Sequence, residues 1–504
     1  MSLATVLSRA QEGIDAPLVN VEVHLANGLP SLAIVGLPET AVKESKDRVR
    51  AAILNSRFEF PSRRITVNLA PADLPKEGGR FDLPIALGIL AASRQLPAEA
   101  LARYEFLGEL GLGGELRPIR GALPAALRCA AERRGLFVPG ANADEAALPT
   151  ASTVYPATHL LEICAHLTGE HRIEPHRREN PTRFEEGELD LADVRGQPRA
   201  KRALEIAAAG GHNLLMIGPP GTGKTMLAAR LATVLPPMSE REAIESAAIR
   251  SISHQGFSPR DWRIRPFRAP HHTASGVALV GGGPHPRPGE ISLAHNGVLF
   301  LDELTEFDRR VLEVLREPLE TGSITISRAA RQAEFPARFQ LIGAMNPCPQ
   351  GYDCDLRDHC QCTPEQQRRH RARLSAPLLD RIDLHIDVTR LPHQSLRVAA
   401  DPSQETSAEV RAQVTRARQR QMARCGKINA HLNSREVERH CSLGATDHDL
   451  LGQAMMRFRL SARAYHRILK VARTIADLAG QEQITTQHLS EAISYRSLER
   501  LMSG

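Results

Sequence analysis

Aromatic residues make up only 4% of the 504-residue chain, with a single tryptophan, so its cores must be filled mainly by aliphatic side chains. No apolar run approaches the roughly 20 residues needed to span a bilayer, which argues against a transmembrane helix and a membrane partner. The opening Met1-Ser-Leu-Ala-Thr5 lacks a basic stretch ahead of an apolar core, so no secretory signal is expected and the location is expected to be cytoplasmic. Neither sign of charge is in large excess. The 64 Lys and Arg against 58 Asp and Glu leave +6, a lean toward an anionic partner that a merely solvated surface also explains. Cysteines number eight, and in a cytoplasmic chain they do not make a disulfide framework. The length is too great for one core and implies about two to four domains.

What is present is organised around Gly218-Pro219-Pro220-Gly221-Thr222-Gly223-Lys224-Thr225. This is a P-loop: its glycines let successive backbone N–H groups turn toward phosphates, Lys224 reaches the terminal phosphates, and Thr225 offers a hydroxyl to Mg²⁺. An apolar strand, Asn213 to Ile217, precedes it and a helical pattern, Thr225 to Leu235, follows, which sets the phosphates at a helix N-terminus. A second apolar strand, Val298 to Leu301, ends in Asp302 and Glu303. There Asp302 is suited to Mg²⁺ and Glu303 to orienting and deprotonating a water. A fortuitous glycine loop and surface acid pair would lack this strand–turn–helix setting. ATP and Mg²⁺ are the implied ligands.

Four cysteines, Cys348, Cys354, Cys360 and Cys362, crowd into one loop. Tetrahedral sulfur ligation of Zn²⁺ is one reading and four reduced surface thiols the other, because only Cys360 and Cys362 stand as a close pair. Between the nucleotide motifs lies a long insertion rich in Arg, His and Gly, which includes Arg263 to His272. A second element, Gly322 to Glu334, reads as a hairpin with basic residues at its tip. Arg328 and Arg331 there are candidate nucleic-acid contacts, with subunit packing as the alternative.

The first third alternates strands (Val19–Leu25, Leu32–Gly36, Ile65–Ala70) with helices (Thr40–Ser56, Pro84–Ala92). Within it, Pro75-Lys-Glu-Gly-Gly-Arg80-Phe-Asp-Leu-Pro84 and Leu107 to Gly121 resemble the active-site turn and following strand pair of the Lon protease domain. In that alignment Arg80 stands at the nucleophilic serine and Leu123 at the lysine. Neither can do that chemistry, so the resemblance implies a Lon-like fold that is not a protease. Arg80 then reads as an exposed charge, a salt-bridge member or a phosphate contact.

Leu191 to Gln197 resembles the adenine-side box of AAA+ ATPases, and the strand Phe339 to Met345 ends at Asn346, which the resemblance makes the sensor of γ-phosphate and attacking water. Leu378-Leu-Asp-Arg381-Ile-Asp383 resembles the segment carrying an arginine finger into a neighbouring subunit, with Arg373 as the alternative finger. Arg463, on a helix near the end, matches the second sensor position. Together with Pro266 to Thr273 and Pro288 to Glu303, these stretches resemble the YifB/ComM group of magnesium-chelatase-like AAA+ ATPases over essentially the whole chain. A cysteine usual in that group is replaced here by Gln350.

The implied architecture is multidomain α/β: a Lon-like α+β domain of ribosomal S5 domain 2 type (1–168), a linker (169–188), an AAA+ core (189–395) holding the cysteine-rich loop (347–363), and an all-helical lid (396–504). The implied activity is that of a hexameric ATP-driven motor on single-stranded or branched DNA, a branch-migration helicase working with recombination proteins during natural transformation. The ATPase subunit of a metal chelatase and a protein-remodelling chaperone are the alternatives.

Overall fold

The structure is a computed structural model, and it describes residues 3–178, 189–283, 286–328, 331–351, 360, 362–391, 404–458 and 460–496. The chain divides into two compact units, Met1–Phe184 with Glu240–Trp262, and Glu185–Ser239 with Arg263–Gly504.

In the first unit, alternation decides which side of each strand is buried. Strand β1 (Leu3–Arg9) buries Ala4, Val6 and Ser8, and β2 (Leu18–Ala26) buries Val19, Val21, Val23 and Leu25. With β3 (Ser31–Val35), β4 (Arg64–Ala70), β5 (Tyr104–Phe106), β6 (Gly135–Pro139) and β7 (Thr153–Ala157) they form a mixed sheet in the order β3-β4-β2-β1-β5-β6-β7. Helix α1 (Asp82–Ala92), apolar in sequence, has all eleven residues buried and shares a core with β1 and β2. The helix expected over Thr40–Ser56 is two, Thr40–Lys43 and Ser45–Asn55, joined at Glu44.

One segment of this unit comes from far along the chain. The helix Glu240–Ile252, read from sequence as part of the ATPase core, buries Ala247 and Ala248 against Leu123 and Leu148, with Phe257 and Trp262 packed alongside. Its Ser251 carbonyl accepts a hydrogen bond from Gly121 N, just ahead of α2 (Ala122–Ala131). The apolar partners of this alanine face lie in the first unit, which is why the segment folds there.

The second unit is built on five parallel strands. They are β8 (Leu214–Ile217), β9 (Phe267–Arg268), β10 (Val298–Leu301), β11 (Gln340–Met345) and β12 (Leu384–Asp387), in the order β9-β10-β11-β8-β12. Every residue of β8, β10, β11 and β12 is buried, as expected of parallel strands covered on both faces. Helices α3 (Pro198–Gly210), α4 (Lys224–Val234), α5 (Ser407–Cys425) and α6 (Ala462–Leu478) cover them. The C-terminal helices share the sheet's core: Val414, Ile468 and Ile475 belong to the same apolar cluster as Leu214, Ile342 and Ile386.

A polar network pins α6 to the sheet. Asp383 pairs with Arg467 and His212, His212 Nε2 lies 2.8 Å from Thr474 Oγ1, and Asn429 Nδ2 donates to Thr474 Oγ1 at 3.0 Å and Asp477 Oδ2 at 2.8 Å. Burial alone would raise the Asp383 carboxyl, but Arg467 and His212 hold it well below the usual carboxylate range.

Candidate active site

Strand β8 delivers the chain into the glycine turn. Gly218 N donates to Met345 O at 3.2 Å, and a methyl group on Gly218 would stand 2.2 Å from Val388 O, so only glycine lets the loop begin between β11 and β12. Gly223 has φ +87°, a left-handed conformation, and the helix starts at the next residue.

Lys224, only 8% exposed, folds back over the loop: its ammonium donates to Gly218 O (2.7 Å), Pro219 O (2.9 Å) and Asn346 Oδ1 (3.2 Å). Burial lowers its pKa, and the Asp302 and Glu303 carboxylates oppose that shift. Thr222 Oγ1 donates to Pro219 O at 2.9 Å, and Thr225 Oγ1 donates to Asp302 Oδ2 at 2.5 Å. Asp302 Oδ1 in turn accepts from Glu303 N at 2.9 Å. The structure therefore gathers Gly218, Pro219, Thr222, Lys224, Thr225, Asp302 and Asn346 at the C-terminal ends of three adjacent strands. Pro220 and Gly221 lie within the same turn, Gly221 at φ +79°.

Glu303 takes φ +49°, unusual for a non-glycine residue. Its carboxylate pairs with His272, Oε2 to Nδ1 at 3.0 Å. Sequence alone placed His272 only within a basic insertion. His370 is a second residue whose place was not foreseen: buried, with its pKa lowered by that burial, it donates from Nε2 to Asn346 O at 3.1 Å. Arg373, considered as a finger, donates to Thr305 O and Glu306 Oε1, both at 2.9 Å.

Arg381 and Arg463 stand elsewhere. β12 runs parallel to β8 with Leu384 beside Leu214 and Asp387 beside Ile217. Arg381 precedes the start of β12, whereas the P-loop follows the end of β8, so ~10 Å of strand separates them. Arg381 is 6% exposed, donates to Pro377 O at 2.6 Å and pairs with Glu320. Arg463 lies 4.0 Å from Asp380 Oδ2, next door in sequence to Arg381. Both arginines thus lie toward the end of the strands opposite the P-loop.

The sulfur atoms of Cys348, Cys360 and Cys362 lie within 4.8 Å of one another. Cys354 lies outside the described residues. The loop carrying Cys348 abuts the nucleotide turn, since a methyl on Gly351 would stand 3.3 Å from Pro220 Cδ. Arg328 and Arg331 close the hairpin Ser323–Arg328 and Arg331–Pro336, where they are register partners.

In the first unit, Arg80 is buried rather than exposed and has no salt-bridge acid among the described residues. It donates to Gln11 Oε1 (2.7 Å) and Arg120 O (2.9 Å), and burial pushes its pKa down to about 10. Leu123 is buried under the helix Glu240–Ile252.

Sequence comparison matches residues 190–396 to the family described as magnesium chelatase, subunit ChlI, residues 21–142 to subunit ChlI of Mg-chelatase, and residues 404–496 to the ChlI C-terminal region. The chain is 54% identical to competence protein ComM of Haemophilus influenzae, covering 100% of this chain and 99% of that one. It is 52% identical to the YifB proteins of Salmonella typhimurium and Escherichia coli, covering 100% of this chain and 98% of each of those.

Proposed function

The chain belongs to the magnesium-chelatase-like family that includes the ComM and YifB proteins, and from that premise we propose that it is an ATP-hydrolysing motor acting on DNA. The observation that carries the ATPase reading is the pairing of Lys224 with Asn346 and of Thr225 with Asp302 around one glycine turn.

These residues fit Mg²⁺ and a nucleotide triphosphate. A largely buried ammonium that no carboxylate ion-pairs among the described residues is suited to phosphate oxygens. A hydroxyl and a carboxylate already in contact form a hard oxygen pair suited to Mg²⁺. In this reading Thr225 and Asp302 hold the metal, which when bound neutralises charge on the phosphates. Lys224 and the N–H groups of the turn bind those phosphates. Asn346 orients the attacking water, and Glu303 accepts its proton.

Arg381 and Arg463 lie toward the end of the strands opposite their own P-loop, and in our reading Arg381 leaves its pair with Glu320 to complete the site of a neighbouring copy, with Arg463 beside it. A ring of identical subunits, hexameric in our reading, follows from that role. The hairpin bearing Arg328 and Arg331 is the candidate grip on phosphates of single-stranded or branched DNA. The name of the Haemophilus relative supports a role in competence, which we read as branch migration alongside recombination proteins during natural transformation. Zinc is proposed at Cys348, Cys360 and Cys362, with a fourth ligand from outside this trio. No helix among the described residues is long and apolar enough to cross a membrane, and we propose a cytoplasmic location.

The chelatase names of the matching families favour one second reading, the ATPase subunit of a metal-inserting complex. Steady-state ATPase rates separate the two when measured without DNA and with single-stranded, duplex and four-way-junction DNA. Stimulation greatest on branched DNA supports the motor; a rate indifferent to every DNA overturns it. A remodelling chaperone would respond to unfolded protein instead.

A further inference from the structure

Three parallel strands of the first unit carry an aromatic ladder that the nucleotide chemistry does not use. Phe106 on β5, Phe137 on β6 and Tyr155 on β7 are register partners. Their rings stack in turn, 5.2 Å apart between Phe106 and Phe137 and 5.0 Å between Phe137 and Tyr155. β7 is the edge strand, so the ladder ends at Tyr155. Tyr104 lies two residues before Phe106, on the same face, with Gly135 as its register partner. A methyl group on Gly135 would stand 2.7 Å from the Tyr155 ring and 2.8 Å from that of Tyr104. The missing side chain is what lets Tyr104 reach across to Tyr155, edge to face at 5.4 Å.

His166, in the last turn of the helix Leu160–Thr168, closes the cluster. Burial, reinforced by Arg172, lowers its pKa and keeps the ring neutral. Its Nδ1 accepts from Ile173 N at 3.0 Å, so the ring proton sits on Nε2, which donates to the Tyr104 hydroxyl at 3.1 Å. The Tyr104 and Tyr155 hydroxyls are bonded to each other in turn. That bond uses one of their two protons, and His166 has no acceptor left for the other. One phenolic O–H is therefore unspent among the described residues. Tyr104, Tyr155 and His166 also line a cavity of about 670 Å³, within the range of small-ligand sites. Two guanidiniums, Arg103 and Arg172, and two carboxylates, Glu99 and Glu174, stand exposed at its rim.

We propose that this cavity binds a nucleobase, presented by a single DNA strand or by a free nucleotide. The tyrosine rings supply a stacking wall, which accepts any base because every base has a π-face. The unspent phenol and the two guanidiniums donate to ring nitrogens and carbonyl oxygens, and the two carboxylates accept from exocyclic amino groups. A bare phosphate would be repelled by those carboxylates, and a wholly apolar ligand would leave the phenol without a partner. A base carries donors and acceptors together on the edge of a planar ring. The strand as source rests on the reading of the chain as a DNA motor; the free nucleotide does not.

The test irradiates the full-length protein with three probes and maps the cross-linked peptides. The probes are a single-stranded oligonucleotide carrying iodouracil, the same sequence as a duplex, and iododeoxyuridine monophosphate. Cross-links at Tyr104, Tyr155 or His166 are expected with the single strand and few with the duplex, whose bases are already paired. Tyr155→Ala should weaken single-strand affinity by roughly five- to 100-fold, and Tyr155→Phe, which keeps the ring, by much less. The DNA-free ATPase rate should be unchanged in both, since neither position belongs to the nucleotide turn. If Tyr155→Ala fails to fold, Arg103→Ala and Arg172→Ala, at exposed positions, carry the test by lowering the cross-link yield. Cross-links in the cavity from the mononucleotide alone keep the site and make a free nucleotide its ligand. No cross-link there from either single strand or mononucleotide overturns the proposal, and if the strand still binds, the motor reading stands without it. A cavity labelled by the mononucleotide in a protein whose ATPase ignores every DNA would sink the motor reading and leave the site.

Discussion

Thr225 Oγ1 and Asp302 Oδ2 lie 2.5 Å apart, joining the first turn of α4 to the end of β10 across the intervening β11. Two segments 77 residues apart in sequence thus present one hydroxyl–carboxylate pair beside Lys224. Binding and turnover should separate along this line.

Lys224→Ala removes the only ammonium in the turn, and nucleotide affinity should fall by ~100-fold, the effect of losing a bond to a charged phosphate worth about 3 kcal/mol. Glu303→Gln should retain binding while turnover drops by about 10²–10⁴. Fluorescent-nucleotide titration alongside steady-state hydrolysis checks both, and normal turnover in either variant would place the site elsewhere.

Arg381→Ala should leave nucleotide binding intact and cut hydrolysis by about 10³ or more if the arginine completes a neighbour's site. Mixed with Glu303→Gln subunits, which keep Arg381, part of the activity should return, because Arg381→Ala subunits still own a working base. Absence of rescue at every mixing ratio would remove the assignment in trans.

His385 lies on β12 with no exposure to solvent, and burial, reinforced by Arg496, drives its pKa well below the ordinary histidine value. The unfolded chain takes up a proton near pH 6.5 that the folded chain refuses. Its contribution to stability is therefore present above that pH and lost as pH falls below it, by about 1.4 kcal/mol per pH unit. Denaturant midpoints of the full chain at pH 7.5, 6.5 and 5.5 should decline across that series, and His385→Gln should flatten the decline. An equal slope in the variant would contradict it.

If Cys348, Cys360 and Cys362 hold zinc, purified protein should carry roughly one zinc per chain, and Cys362→Ser should lose it. Metal analysis of both proteins checks this. Equal, negligible metal in both would mean that the thiols are free.

The nucleotide motifs were legible because each is local: strand, glycine turn and helix follow one another, and a buried strand ends in its two acids. Three of the five parallel strands of the second unit, β8, β10 and β11, announced themselves as short apolar runs for the same reason, whereas β9 and β12 were not read as strands. What escaped was set by pairing across distance. His272 and Glu303 are 31 positions apart by numbering and meet because β9 adds to the edge of β10. Nothing in the insertion's composition distinguishes that histidine from its neighbours. The helix Glu240–Ile252 was assigned by chain order, whereas the alanines that decide its place have their partners around Leu123. The positions of Arg381 and Arg463 relative to the P-loop depend on the parallel register of β8 and β12, which a motif match does not carry. Arg80 could be excluded as a nucleophile from its identity alone, but its burial required the surrounding fold.

The central claim is that ATP hydrolysis at Lys224, Asp302 and Glu303 drives movement on branched DNA. Its most direct test is the conversion of a labelled, mobile four-way junction into forked products by the purified protein. The account predicts conversion with ATP and Mg²⁺, and none with a non-hydrolysable analogue or with Glu303→Gln. Vigorous ATP turnover that leaves the junction bound or unbound but never converted would contradict it.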